Sequence, residues 1–221
     1  MSTILDATTG VSDTLLGAGV PTVSFVHTCT GVQLLLVVQV LLTSTGGVQL
    51  GFVTGVTYNS VPLVRANSLY DVNNNRCGAE VWYLVNPLIG AHNVVVNYST
   101  PNASNRTVVN SSSYNGVDQI TPLDASSVVE QVTTTPSLNV TTGVANALIT
   151  STISRTVFSA ITPATVNALT EVGAAYNIVV GPPAVFTASW SGLAVGVKST
   201  HVLVSFAPVA SRFIGVNEVD V

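Results

Sequence analysis

Apolar and polar residues alternate with a period of two over much of this chain, which is the period of a half-buried β-strand. From Ala79 to Val85 the two sets are Glu80, Trp82, Leu84 and Val81, Tyr83, Val85. Both sets contain large apolar groups, so this strand is expected to be covered on both sides. The run Val32 to Leu42 is almost continuously apolar, interrupted by Gln33 and Gln39. It is too short for a membrane span of about 20 residues and reads as a strand buried on both faces. Further strands are expected at Thr22–Thr28, Leu50–Tyr58, Val61–Ala66, His92–Tyr98, Thr107–Tyr114, Val128–Thr134, Ala147–Ser154, Thr156–Ala160, Ala184–Ser191 and His201–Ala207. Turn chemistry separates them: Gly46-Gly47, Tyr58-Asn59-Ser60, Asn73-Asn74-Asn75-Arg76, Asn86-Pro87 and Tyr114-Asn115-Gly116. Thr165–Tyr176 fits either a strand pair or a short helical turn. Apolar positions at helical spacing with good helix formers are missing, so the fold class is all-β, an antiparallel β-sandwich.

Residues 1–20 are rich in Thr, Gly, Ser and Asp with little alternation, and read as an N-terminal arm. Gly19-Val20-Pro21 marks the boundary of a sandwich domain over 21–208, and residues 209–221 form a tail. Met1–Asp6 lacks a basic segment followed by an apolar one, so no secretion signal is expected.

Composition narrows the function. Charged residues are 7% of the 221 positions, against roughly 25% in an ordinary soluble domain. A surface hydrated by Ser, Thr and Asn, with few charges to keep copies apart, suits a protein packed into an assembly or displayed outside a cell. The net charge is −4, the one lysine is Lys198, and Arg65, Arg76, Arg106, Arg155 and Arg212 are scattered. No basic patch is available to neutralise several phosphates together, so nucleic acid is not an expected partner, nor is a membrane. Cys29 and Cys77 have neither CxxC nor metal-ligand spacing, and two buried thiols are favoured over one bridge.

Four segments in order carry a resemblance: Gly55-Val56-Thr57-Tyr58-Asn59-Ser60-Val61-Pro62-Leu63, Glu80-Val81-Trp82-Tyr83-Leu84-Val85-Asn86-Pro87, Gly90-Ala91-His92-Asn93-Val94-Val95-Val96, and Tyr114-Asn115-Gly116-Val117-Asp118-Gln119-Ile120-Thr121-Pro122-Leu123. Followed by the alternating Thr200–Ala207, they resemble a β-sandwich module of phage virion proteins and bacterial surface proteins, over roughly Thr22–Pro208. The resemblance implies a jelly-roll-like fold with a structural or adhesive role, and it brings no catalytic residues. The chain departs from the pattern at Ser60, where glycine is more usual, so a different turn is expected there.

Side chains capable of chemistry do not assemble into a site. His27, His92 and His201 each fall within a strand pattern without a second ligand nearby, and structural or surface roles are favoured. Asp118 is expected to bond local backbone N–H groups and fix the corner before Pro122, rather than hold calcium or a sugar. Glu80 and Arg76 are close enough to pair. Trp82, Tyr83, Trp190, Tyr58 and Tyr114 could stack on a sugar ring, but the tryptophans lie mid-strand, where core packing is the usual role. Asn97, Asn102, Asn105, Asn110 and Asn139 match the glycosylation pattern by composition alone. No GxSxG elbow or phosphate-binding glycine loop occurs.

No catalytic, cofactor-binding or metal-binding residue is therefore assigned, no cofactor is expected, and the chain is not expected to be an enzyme. The expected function is that of a structural virion protein on the capsid surface. It would be a decoration or cement protein acting as a homo-oligomer, for instance a trimer, against the major capsid protein or other virion proteins. The alternative is a glycan-binding adhesin of a tail fibre or cell surface.

Overall fold

The structure is a computed structural model that describes residues 3–16, 22–44, 52–71, 77–99, 105–154, 160–162, 165–169, 173–179, 181–191 and 195–209. Nine strands make the first half: β1 (Ile4–Leu16), β2 (Thr22–Cys29), β3 (Leu35–Ser44), β4 (Val53–Tyr58), β5 (Val61–Pro62), β6 (Val64–Tyr70), β7 (Cys77–Val85), β8 (Gly90–Tyr98) and β9 (Asn105–Asn115). They form a five-stranded sheet, β1-β9-β3-β7-β6, and a four-stranded sheet, β2-β8-β4-β5, with every pairing antiparallel. Apart from the adjacent pairs β4-β5 and β6-β7, successive strands alternate between the sheets, in the order of a jelly roll.

The second half repeats this plan. Its strands are β10 (Leu123–Val132), β11 (Ser137–Thr141), β12 (Leu148–Ser154), β13 (Ala160–Thr162), β14 (Thr165–Leu169), β15 (Gly173–Val179), β16 (Val185–Ser191) and β17 (Lys198–Phe206). The sheets β10-β17-β12-β15-β14 and β11-β16-β13 follow the same order as those of the first roll, except that among the described residues nothing corresponds to β5. The sandwich expected over 21–208 is thus two tandem sandwiches.

Alternation along β3 shows how the rolls stack. Leu36, Val38, Val40 and Leu42 point into the first roll, where they pack with Val56, Tyr58, Trp82, Val94 and Val96. Leu35 and Val37 point the opposite way and share an interior with Ala79, Val81, Leu148, Val202, Val204 and Phe206 of both rolls. A third interior, with Leu138, Ile149, Ile153, Trp190 and Leu203, lies within the second roll. The molecule is therefore four layers deep, and the central strands β3 and β12 of its two five-stranded sheets are covered on both faces. Every residue of β3 is buried, as its near-continuous apolar run predicts, and so is every residue of β12. A fully buried Leu, Ile or Val side chain contributes about 1.5–3 kcal/mol, so the middle layers hold much of the stability.

Between the rolls the contact is partly polar and fully bonded at its centre. Gln39 Nε2 donates to Ser151 O at 2.8 Å and Thr152 Oγ1 at 3.0 Å, while its Oε1 accepts from Asn110 Nδ2 at 2.9 Å. Ser154 Oγ donates to Leu42 O at 2.7 Å. At the margin, Lys198 Nζ of β17 lies 3.0 Å from Asp71 Oδ1, just after β6, and 2.7 Å from Glu130 Oε1 of β10.

Several elements differ from the sequence expectation. Residues 4–16, expected within the arm, form β1, paired with β9 from Ile4↔Asn115 to Leu16↔Asn105. The strand expected at Val61–Ala66 is divided at Leu63, whose N–H bonds Val56 O and whose side chain turns inward. Of the two arrangements that fit Thr165–Tyr176, the strand pair forms, contributing to β14 and β15. β11 had no sequence counterpart. Most of the strand expected at Thr156–Ala160 and the whole tail beyond 209 lie outside the described residues. Cys29 and Cys77 are free and buried.

Candidate functional site

The outer face of the four-stranded sheet carries an open groove of about 290 Å³ lined by Thr57, Asn59, Ser60, His92, Asn93 and Val95, with Ala91. Strand geometry assembles it. Thr57 and Val95 are cross-strand partners on β4 and β8, and Asn93 lies two residues from Val95 on the same face. Asn59 N donates to Asn93 O at 3.0 Å, pinning the β4–β5 turn over this face. Asn59 and Ser60 have φ of 48° and 65°, which are the signs of a type I′ turn. The different turn expected from the absence of glycine does not form; Ser60 takes the left-handed conformation glycine would occupy. His92 closes one end: its ring meets Tyr58 edge-on at 5.5 Å, and Nε2 donates to Ile89 O at 3.3 Å. The lining holds amides, hydroxyls and an imidazole and no Asp, Glu, Lys or Arg.

A second cluster is interior. Ser113 Oγ donates to Asp6 Oδ2 at 2.7 Å, leaving its oxygen to accept Nε2–H of His27 at 3.1 Å. Nδ1 of His27 then accepts from Thr9 Oγ1 at 2.6 Å. This relay ties β1 and β9 of one sheet to β2 of the other. Burial depresses the His27 pKa to about 4 against the pull of the Asp6 carboxylate. In the second roll, Nε2 of His201 accepts the Trp190 indole N–H at 3.0 Å and lies 2.8 Å from Ser151 Oγ; burial lowers its pKa to about 3. Both imidazoles are fully buried.

Glu80 is likewise structural. Its carboxylate accepts from Trp82 Nε1 at 2.6 Å and from Tyr70 OH, with Arg65 Nη1 at 3.9 Å. Burial raises its pKa, although the two donors act in the opposite direction. The expected partner Arg76 lies outside the described residues. Asp118 behaves as its sequence context predicts: Oδ1 accepts the backbone N–H of Ile120 at 2.8 Å and Thr121 at 2.9 Å, and these bonds lower its pKa.

The aromatic residues weighed as a sugar platform are mostly interior: Trp82, Trp190, Tyr58 and Tyr114 are all buried, and Tyr83 packs edge-on against Phe206 in the shared interior. Of the glycosylation-pattern asparagines, Asn105 and Asn110 are buried and inaccessible in the folded chain. Among the described residues, no group of three His, Cys, Asp or Glu could hold a metal ion. Two of the three histidines meet: His27 and His92 are cross-strand partners on β2 and β8, and both rings lie edge-on to Tyr58, while His201 lies apart in the second roll. The structure also assembles Thr57, Asn93 and Ser60, of which sequence reading identified only the turn. Compared with protein-family models and with curated protein sequences, the chain matches none.

Proposed function

We propose that this protein is a structural component of a virus particle, a decoration or cement protein on the capsid surface whose work is contact between neighbouring subunits. The observation that carries the reading is the apolar end of the first roll. Ile120 is 87% exposed, Val32 74%, Ile4 62% and Ile89 61%. Hydrogen bonds bring the loops bearing them together: Val32 N donates to Asn115 Oδ1, Asn86 N to Leu34 O, and Gln119 Nε2 to Leu34 O. Aliphatic groups concentrated at one end of a charge-poor molecule mark a contact surface. Asp6 and Asp118 beside them are already occupied by Thr30, Ser113 and backbone N–H groups.

The mechanism is passive. Two stacked sandwiches resist deformation, and the apolar end buries against the major capsid protein, other virion proteins or further copies of the chain. A specific interface of this kind needs above about 1,000 Å² of total buried area. The expected measurement is quantitative mass spectrometry of purified particles giving a copy number comparable to that of the shell protein; a few copies per particle, or none, would remove the cement role. The adhesin reading loses its aromatic platform, since those side chains fill interiors.

A further inference from the structure

We propose that the groove on the outer face of the four-stranded sheet is a binding site for a neutral carbohydrate. Two independent observations converge on it. The first is the chemistry of the lining. Carboxamides of Asn59 and Asn93 and hydroxyls of Thr57 and Ser60 are both donors and acceptors, as sugar hydroxyls require, and no Asp, Glu, Lys or Arg lines the groove to select a charged ligand. On β2, Val26 is the cross-strand partner of Asn93 and is 53% exposed, so an aliphatic surface lies beside the amides. Val95 adds a second aliphatic patch within the groove. One sugar ring can thus set its C–H face on valines while its hydroxyls meet the polar groups. The volume of about 290 Å³ suits a single residue of a longer glycan.

The second observation is backbone strain. Ser60 holds φ of 65° at the lip, a conformation that costs an L-residue roughly 1–2 kcal/mol relative to glycine. The hydroxyl at that position is kept against a conformational penalty, and it borders the groove rather than serving the core. His92, fixed by Tyr58 and Ile89, makes the rigid end against which a ring is positioned.

This site is separate from the apolar end and does not depend on the structural role: particle copy number tests that role, and sugar titration tests this one. With the full chain, saturation-transfer difference NMR against methyl glycosides of glucose, galactose, mannose and N-acetylglucosamine, and against sialyllactose and a sulphated disaccharide, separates neutral from anionic ligands. The expected result is saturation of a neutral glycoside with millimolar affinity. Asn93→Ala is expected to weaken it about tenfold, the equivalent of one well-made hydrogen bond, with an unchanged melting temperature. Ser60→Gly is expected to raise the melting temperature while also weakening the sugar. Absence of saturation with any neutral sugar, binding of the anionic sugars alone, or neutral binding indifferent to both substitutions would overturn the assignment.

Discussion

At the residue scale, the polar groups around Gln39 between the rolls are bonded to one another, and their removal should be felt. Gln39 satisfies Ser151 O, Thr152 and Asn110 between the rolls. Gln39→Ala leaves Asn110 without its carbonyl partner, and each buried group so orphaned costs about 1–3 kcal/mol. Urea unfolding should show the midpoint falling accordingly; an unchanged midpoint would mean that water replaces the lost bonds. The buried imidazoles make a second prediction. Both histidines have folded pKa values below the ordinary 6.5, at about 4 for His27 and about 3 for His201. The folded chain therefore binds fewer protons than the unfolded chain below pH 6.5, and stability must fall as pH drops through that value, levelling only near the folded pKa values. Glu80, whose pKa is raised, works in the opposite sense. The informative quantity is thus the difference between the native protein and a His27→Gln, His201→Gln variant, which should shrink from pH 7 to pH 4. A difference independent of pH would show that the rings are not held unprotonated.

At the element scale, legibility followed the side chains available to report burial. β3 was evident because Leu, Val and Leu fill both of its faces. β1 was not, because Asp6, Thr8, Thr9 and Gly10 break any apolar alternation, and its place is set by pairing with β9 and by hydroxyl contacts such as Thr8–Ser112 and Thr9–Ser111. β11 alternates, with Leu138 and Val140 inward and Ser137, Asn139 and Thr141 outward, yet two apolar residues are too few to stand out from the surrounding Thr-rich stretch. Asp118 was readable because its bonds are local, whereas the groove was not, since its parts come from β4, the β4–β5 turn and β8. Gly78 offers a test of the fit between β6 and β7. A Cβ there would sit 2.5 Å from the Tyr70 ring, which is anchored by Glu80 and by Val53 N. Gly78→Ala should therefore destabilise by about 1–3 kcal/mol, the usual cost of overpacking. A neutral result in thermal melting would place Tyr70 elsewhere.

At the scale of the whole molecule, the repeated strand order is not legible in the sequence because the two rolls share topology without sharing readable sequence motifs. Their common interior, from Leu35 and Val81 to Val202 and Phe206, should make them unfold together. The chain's two tryptophans divide between the rolls, Trp82 in the first interior and Trp190 in the third. Fluorescence of Trp82→Phe and Trp190→Phe variants then reports each roll separately, and each transition should coincide with the circular dichroism transition of the same variant. Phe206→Ala, in the shared layer, should lower stability by about 3–5 kcal/mol through both probes. Transitions that separate within a variant would show two independent domains.

The proposed role makes the whole stack a rigid body whose apolar end lies against a shell. Electron cryo-microscopy of purified particles addresses it most directly. The account predicts a four-layered β density repeated with the lattice of the shell, its Val32, Ile89 and Ile120 end turned toward a neighbouring subunit. A shell without that density, or one in which this end faces open solvent, would contradict it.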